Sequence, residues 1–376
     1  MKLFECQMCG QALYFENTRC ERCHHRLGYI ASEQWLAALE QSANEAPLWH
    51  IGGQPNRQFR FCENAEQKAC NWLIHADATE RFCAACRHNH LIPDLALGQN
   101  LKHWRLMELA KHRLFYTLME LNLPLVTRVE DPKEGLGFNF LEDTDANKKI
   151  FTGHTDGMIT INIAEADDAE RERRRNTMHE PYRTLLGHFR HEIGHWYWDR
   201  LVRDAPAHHA FSIVFGDESP DYGEALKRHY KDGAPTDWRQ RYVSAYATSH
   251  PWEDFAETFA HYLHIVDTLE TASEFGIVVH PRHLTHAEQL STDIDFEPQF
   301  AKTVNALIDA WLPLTFAVNS LNRSMGQADF YPFVLSPTVV DKLGFIHDLV
   351  HGRIGYEAPT QEPMLQDRRP PADNAS

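Results

Sequence analysis

Apolar residues recur at helical spacing in the segment that follows Asn100. They form one stripe, which consists of Trp104, Met107, Leu114, Leu118 and Leu121. Such a stripe predicts a long amphipathic helix, which should end before Pro124 because proline disfavours helical backbone in the residue before it. The shorter segment SEQWLAALEQ, at 32–41, predicts another helix with Ser32 as its N-cap.

Two extended segments follow, LGFNFL at 136–141 and MITINI at 158–163. The second alternates apolar and polar residues, which is typical of a half-buried strand. After the charged run DDAERERRR, the pattern predicts a mostly helical chain to about residue 350. The polar, proline-rich segment 354–376 predicts a disordered tail.

The composition is that of a globular protein with room for two domains in its 376 residues. The net charge is −16, and residues 1–100 carry only −2 of it, with 9 Lys/Arg against 11 Asp/Glu. This balance argues against a nucleic-acid partner or an anionic membrane surface. The N-terminus lacks an apolar signal region, and no run reaches the roughly 18 apolar residues of a membrane span. We therefore expect a soluble cytoplasmic protein.

All eight cysteines lie between positions 6 and 86 and divide into two sets of four. The first set has the spacing C-x2-C-x10-C-x2-C and consists of Cys6, Cys9, Cys20 and Cys23. The second has the spacing C-x7-C-x12-C-x2-C and consists of Cys62, Cys70, Cys83 and Cys86. In a reducing compartment such sets indicate tetrahedral zinc, so we predict two structural zinc ions in a zinc-ribbon domain over 1–95.

A rival interpretation concerns Cys20, Cys23 and His24, which match the C-x-x-C-H pattern of c-type haem attachment. Haem would leave Cys6 and Cys9 without partners, and it belongs to exported proteins. The zinc interpretation accounts for all four cysteines of the set.

The segment RHEIGHWYWDRL contains His191, Glu192 and His195 in the spacing H-E-x-x-H. With Pro181 at the first helical position, the surrounding residues predict a helix whose apolar face is buried. Buried imidazoles and a carboxylate are costly unless they have partners, and zinc would supply one. A catalytic zinc takes three protein ligands and keeps one position open.

The third ligand is not a histidine of the metzincin pattern, because that pattern would need Gly and His where the chain has Trp198 and Leu201. A glutamate ligand would come from a later helix. The segment SAYATSHPWEDFAETFAHYLH supplies Glu253 and Glu257, one helical turn apart. One can bind metal while the other accepts a hydrogen bond from a ligating imidazole.

From about residue 1 to 350, the chain resembles the bacterial zinc-binding metallopeptidases that carry an N-terminal zinc ribbon. The stretches that carry this resemblance include TGHTDGMITIN, EPYRTLLGHFRHEIGHWYWDRLV, FGDESPDY and VSAYATSHPWEDFAETFAHYLH. The H-E-x-x-H helix followed by Y-x6-E-D-F-A-E also resembles the gluzincin arrangement of anthrax lethal factor. The resemblance implies an α+β, zincin-like fold over 96–353, mainly helical with a small antiparallel sheet.

The expected roles follow from this combination. His191, His195 and Glu253 would bind the catalytic zinc, and Glu192 would act as general base. Tyr246 occupies the tyrosine position of the lethal-factor pattern, where a phenol can donate to the oxyanion, although Tyr242 is a nearby competitor.

Other polar residues near the motif have weaker roles. Glu257 would orient a ligating histidine, and Asp199 would either do the same or form an ordinary helix ion pair. His188 lies too far along the helix to share one ion with His195, so we expect it to line or pack the site. The histidines of HPRHLTH, at 280–286, are expected to be loop residues.

The expected function is zinc-dependent hydrolysis of a peptide or protein substrate. We also expect MITINI to bind extended substrate as an edge strand, with an interior strand as the alternative. A second hypothesis is a non-catalytic adaptor, in which the zinc ribbons contact a protein partner. A dead scaffold need not keep Glu192, which favours the enzyme.

Overall fold

The computed structural model describes residues 1–42, 48–143, 150, 152–178 and 184–354. Contacts divide the chain into two compact units. One runs from Lys2 to Ala84, and the other begins at Ala85 and also takes in Met1. The domain boundary near residue 95 stays a prediction. The predicted tail lies outside the described residues from position 355 onward.

The N-terminal unit is built from short antiparallel strands. A two-stranded sheet pairs β1 (Phe4–Glu5) with β2 (Ala12–Leu13). A five-stranded sheet follows in chain order, formed by β3 (Arg26–Ile30), β4 (Trp35–Gln41), β5 (Trp49–Ile51), β6 (Gln54–Phe61) and β7 (Leu73–His75). Its buried core consists of Ile30, Ala37, Leu39, Ile51, Phe59 and Leu73.

The helix predicted over 32–41 is wrong, because Trp35–Gln41 is a strand. Ser32 lies in a single 3-10 turn, and Gln34 ends that turn with a left-handed backbone, φ 50°. Residues 36–39 are all buried, since β4 lies between β3 and β5 and side chains on both faces are covered. A short apolar run fits a helix or a fully buried strand equally well, and here sheet pairing decides.

The C-terminal unit is mainly helical, as predicted. Its helices are α1 (Asn100–Glu120), α2 (Asp168–Met178), α3 (Leu185–Trp198), α4 (Ala207–Phe215), α5 (Tyr222–Asp232), α6 (Pro251–Glu274), α7 (Val304–Ser324) and α8 (Pro337–Val350). The predicted stripe of α1 is buried, which confirms that amphipathic helix. By length and apolar composition, α7 alone among the described helices passes as a membrane-span candidate; it packs against α6 and α8.

A four-stranded sheet accompanies these helices in the order β10-β11-β9-β8. It contains β8 (Asn89–Leu91), β9 (Gly137–Leu141), β10 (Gly153–Thr155) and β11 (Met158–Asn162). The two predicted strands are confirmed. The expectation of an antiparallel sheet is only partly right, because β10–β11 is antiparallel whereas β11–β9 and β9–β8 are parallel. Helix α1 makes the crossover from β8 to β9, which parallel strands require.

The position of β11 bears on substrate binding. Strand β11 pairs with β10 on one side and β9 on the other, so it is an interior strand, which was the alternative to the expected edge strand. The prediction that residues 158–163 pair with a substrate is therefore wrong, since both edges of the strand are already bonded. A short antiparallel pair, β12 (Val278–Val279) with β13 (Thr292–Asp293), lies further along the chain.

Candidate metal centre and active site

Helix α3 carries the H-E-x-x-H motif. Thr184 is its N-cap, with Oγ1 accepting a hydrogen bond from the Gly187 amide at 3.0 Å; the predicted start at Pro181 lies outside the described residues. After Trp198 the chain widens into a π-helical turn, Asp199–Arg203. His191 and His195 lie one turn apart, with their Nε2 atoms 3.1 Å from each other.

Helix α6 brings the carboxylates. It begins at Pro251, after His250 as N-cap, and Glu253 lies in its first turn, where the helix dipole favours negative charge. Glu253 Oε2 is 3.0 Å from His191 Nε2 and 3.3 Å from His195 Nε2. Trp252 packs its ring against His195, with centroids 3.8 Å apart.

These three donor atoms fit one zinc ion. Ligands at 2.0–2.1 Å from a tetrahedral zinc stand roughly 3.3 Å from each other, close to the distances between these atoms. Glu253 Oε2 is buried, and among the described residues its near polar neighbours are these two imidazole nitrogens. Three carboxylates, those of Glu192, Glu253 and Glu257, surround two imidazoles, so the cluster favours a cation.

Glu257 lies against the back of the first imidazole. Its Oε1 is 2.8 Å from His191 Nδ1, and Ser244 also hydrogen bonds to this carboxylate. Burial alone would raise the pKa of Glu257, but the hydrogen bond from His191 holds it well below its usual range. An ionised carboxylate at Nδ1 leaves Nε2 free to bind metal, which is the arrangement that the sequence predicts.

Glu192 is buried beside the three candidate ligands His191, His195 and Glu253. Its Oε2 has no hydrogen-bond partner among the described residues. Burial raises the pKa of Glu192 to about 7; His191 lowers it, while Glu253 and Glu165 add to the rise. A carboxylate with this environment can take up and release a proton near neutral pH, as a general base must.

Of the two competing tyrosines, Tyr246 lies at the site. Its ring centroid is 5.9 Å from that of His191, on a 3-10 turn before α6. Burial, together with the charge of Glu253, keeps the pKa of Tyr246 well above its ordinary value, so the phenol stays a donor. Tyr242 instead packs under Lys342, whose Nζ is 4.1 Å from the ring centroid.

Asp199 does not take the place that was predicted for it beside a ligating histidine. Its Oδ2 is 3.8 Å from His154 Nδ1 and its Oδ1 is 3.5 Å from Arg203 Nη1, so the ion-pair alternative describes it. His195 Nδ1 has no hydrogen-bond partner among the described residues. The π-helical turn begins at Asp199, so the regular spacing of an α-helix no longer applies there.

The remaining histidines lie where the sequence predicts. His188 pairs with Glu165 and is not among the described residues that could hold the metal. The segment 280–286 is exposed and contains no helix or strand. Among the described residues, none of its histidines belongs to a group that could hold a metal.

Two site residues were missed by the sequence reasoning. The Tyr222 hydroxyl donates to Glu253 Oε1 at 2.5 Å and hydrogen bonds with Tyr246. The side chain of His154, on β10, is buried, and its ring lies nearly parallel to that of His195 with centroids 6.5 Å apart. A recess of about 410 Å³ borders β10 and is lined in part by His154 and Met158. Neither Tyr222 nor His154 stands at a sequence spacing from the H-E-x-x-H motif that would have predicted its position at the site.

The first cysteine set converges within the N-terminal unit. Its four sulfur atoms lie within 4.8 Å of one another, with Cys6–Cys23 and Cys9–Cys20 each at 3.6 Å. Each C-x2-C turn is followed by a left-handed residue, Gly10 at φ 73° and His24 at φ 63°. Convergence of all four thiols favours zinc over the haem interpretation.

The second set is divided by the boundary between the units. In the N-terminal unit, the sulfur atoms of Cys62, Cys70 and Cys83 lie within 4.8 Å of one another. Cys86 belongs to the C-terminal unit, where its Sγ is 3.4 Å from Glu108 Oε2 and 3.5 Å from His112 Nε2. These neighbours on α1 were not foreseen.

Glu108 lies beside Cys86, but its carboxylate is not free to act as a further metal ligand there. Lys111 Nζ approaches its carboxylate to 2.9 Å, and the Asn89 amide donates to it at 2.7 Å. The carboxylate is therefore already the partner of a buried ammonium group, which fixes its orientation.

Residues 100–349 match the family model described as "putative zinc-binding metallo-peptidase", and residues 3–97 match a zinc-ribbon domain. The chain belongs to this metallopeptidase family. Proteins of Mycobacterium bovis and Mycobacterium tuberculosis, each described as uncharacterized, are 41% identical to it over 351 residues, which span 93% of this chain and 95% of each relative. No solved structure matches the chain. The family relationship supports zinc binding at the level of the whole protein.

Proposed function

We propose that this family member is a peptidase of the gluzincin type, with a catalytic zinc held by His191, His195 and Glu253. The convergence of their donor atoms within 3.3 Å of one another carries the proposal. Each cysteine set would hold one structural zinc, which makes three zinc ions per chain. The substrate would be a peptide or protein.

When bound, the catalytic zinc would lower the pKa of a water molecule and polarise the scissile carbonyl. Glu192 would accept the proton of that water and pass it to the leaving amine nitrogen. Tyr246 would donate a hydrogen bond to the oxygen that becomes negative. Glu257 would hold the imidazole of His191 in the tautomer that presents Nε2.

The Glu192→Gln variant tests this assignment. It removes the base but keeps the size of the side chain, so we expect zinc content to be unchanged and peptide hydrolysis to fall by about 10²- to 10⁴-fold. The measurement is turnover of a peptide library, with zinc counted by elemental analysis. Glu288→Gln, on an exposed 3-10 turn, is the matched control. Undiminished hydrolysis by Glu192→Gln would exclude the proposed base.

A wild-type protein that holds all three zinc ions but cleaves no peptide in the library would favour the adaptor hypothesis. The environment of Glu192 Oε2 argues against that outcome. This oxygen is buried and has no hydrogen-bond partner in the described part of the chain, which costs stability, and a scaffold gains nothing from it.

A further inference from the structure

The two oxygens of Glu253 face different partners. Oε2 points at both imidazoles, at 3.0 and 3.3 Å, whereas Oε1 accepts the hydroxyl of Tyr222 at 2.5 Å. A carboxylate held by a phenol at one oxygen cannot rotate freely about its last bond. The bond therefore determines which oxygen is presented between the histidines.

The position of Tyr222 is itself fixed by the start of α5. The Asp221 side chain caps the helix by accepting from the Glu224 amide at 2.8 Å. The His250 ring then joins the starts of α5 and α6. Its Nε2 donates to the Pro220 carbonyl at 3.1 Å, and its Nδ1 accepts from the Trp252 amide at 3.1 Å.

The ring of Tyr222 packs edge-on against Trp252 and His250, with centroids 5.3 and 5.5 Å away. The rest of α5 is thinly covered, since Ala225 is its only buried residue. Tyr222 therefore joins this exposed helix to α6 at the point where α6 supplies the metal ligand.

We propose that Tyr222 is a positioning residue for the metal centre, which acts by holding Glu253 so that Oε2 alone faces the ion. This inference rests on the metal site of the proposed function. A ligand that is already oriented loses little side-chain freedom when the metal binds, so the affinity is higher. Partners of this kind typically account for 10- to 100-fold in metal affinity.

The Tyr222→Phe variant of the full chain removes only the hydroxyl. We expect the Kd of the catalytic zinc, measured by competition with a chromophoric chelator, to rise about 10- to 100-fold. Tyr230→Phe, on the same helix and 68% exposed, makes the same chemical change away from Glu253 and should leave the Kd unchanged. The cysteine-bound zinc should be unaffected in both variants.

A purely structural role would give another pattern. The inference is overturned if Tyr222→Phe leaves the Kd unchanged. It is also overturned if the variant lowers the free energy of unfolding of the zinc-free protein by as much as it weakens the free energy of zinc binding. It is also overturned if the wild type binds no zinc at these histidines. The readout does not depend on turnover, so the inference survives if zinc is lost as expected while no peptide is cleaved by the wild type.

Discussion

Glu192 is buried on α3 and Glu257 is half-buried on the facing helix α6, and their surroundings shift the pKa values of the two carboxyl groups in opposite directions. Glu257 accepts hydrogen bonds from His191 and Ser244, which keep its pKa low. Burial raises the pKa of Glu192 to about 7, and its Oε2 has no hydrogen-bond partner among the described residues. A difference of this kind between neighbouring acids separates an orienting group from a proton-transferring one.

His261 shows the same principle for a base, one turn beyond Glu257. It is buried, its Nδ1 is 2.7 Å from the Tyr331 hydroxyl, and burial lowers its pKa to about 4. Between pH 6.5 and 4, the unfolded chain binds a proton at this position and the native protein does not. The free energy of unfolding should therefore fall as the pH is lowered through this range.

Urea denaturation of the wild type and of His261→Gln at several pH values checks this prediction. Glutamine does not titrate, so the stability of the wild type relative to the variant should fall by about 1.5 kcal/mol between pH 6.5 and pH 5. Zinc should be chelated in both samples to keep metal loss out of the comparison. A difference that stays constant with pH would show that His261 takes up protons equally in the native and unfolded states, so that its pKa is not lowered by folding.

At the scale of elements, the site depends on how closely α3 approaches α6. Gly194 makes this approach possible, because a Cβ there would lie 2.9 Å from Ala256 Cα and 3.2 Å from its carbonyl oxygen. These are backbone atoms of α6, which cannot yield without moving the helix. The glycine between Glu192 and His195 thus allows the motif and the Glu253 helix to meet.

We predict that Gly194→Ala destabilises the protein by about 1–3 kcal/mol, since the added methyl group overpacks the helix contact. Zinc retention at the catalytic site should fall as well, because α6 carries Glu253. The control is Gly344→Ala on α8, where the new Cβ would meet Val304 Cγ1 at an ordinary 3.5 Å. That variant should gain about 0.5–1 kcal/mol from helix propensity. Equal stability of the two variants would contradict the argument.

At the scale of the molecule, metal is expected in both compact units. The first cysteine set lies wholly in the N-terminal unit, and the histidine site lies wholly in the C-terminal unit. A protein partner for the zinc ribbons and a cytoplasmic location remain predictions.

Elemental analysis of protein purified without added metal tests the metal content. We expect about three zinc ions per chain in the wild type and two in Glu253→Ala, because two imidazoles without the carboxylate hold zinc weakly. Two ions in both proteins would mean that the histidine site binds no zinc as isolated. Fewer than two would contradict one of the cysteine sites.

Much of the site could be predicted from local spacing. The cysteine pairs, the H-E-x-x-H motif and the Glu253/Glu257 pair each lie within one turn or one helix, so the periodicity of the chain places their members together. The same holds for α1, β9 and β11. These features depend on neighbours in sequence, which a pattern can show.

The tertiary structure decided the rest, for the reason that its contacts join distant segments. Residues 32–41 satisfy a helical pattern, yet pairing with β3 and β5 makes Trp35–Gln41 a strand. The sequence also could not show that β11 is interior, since that depends on where β10 and β9 pair. Tyr222 stands 31 residues before Glu253 in the chain, and His154 lies near His195 because it is part of the sheet strand β10. The sequence determined which groups can bind zinc, whereas packing determined which side chains hold them in place.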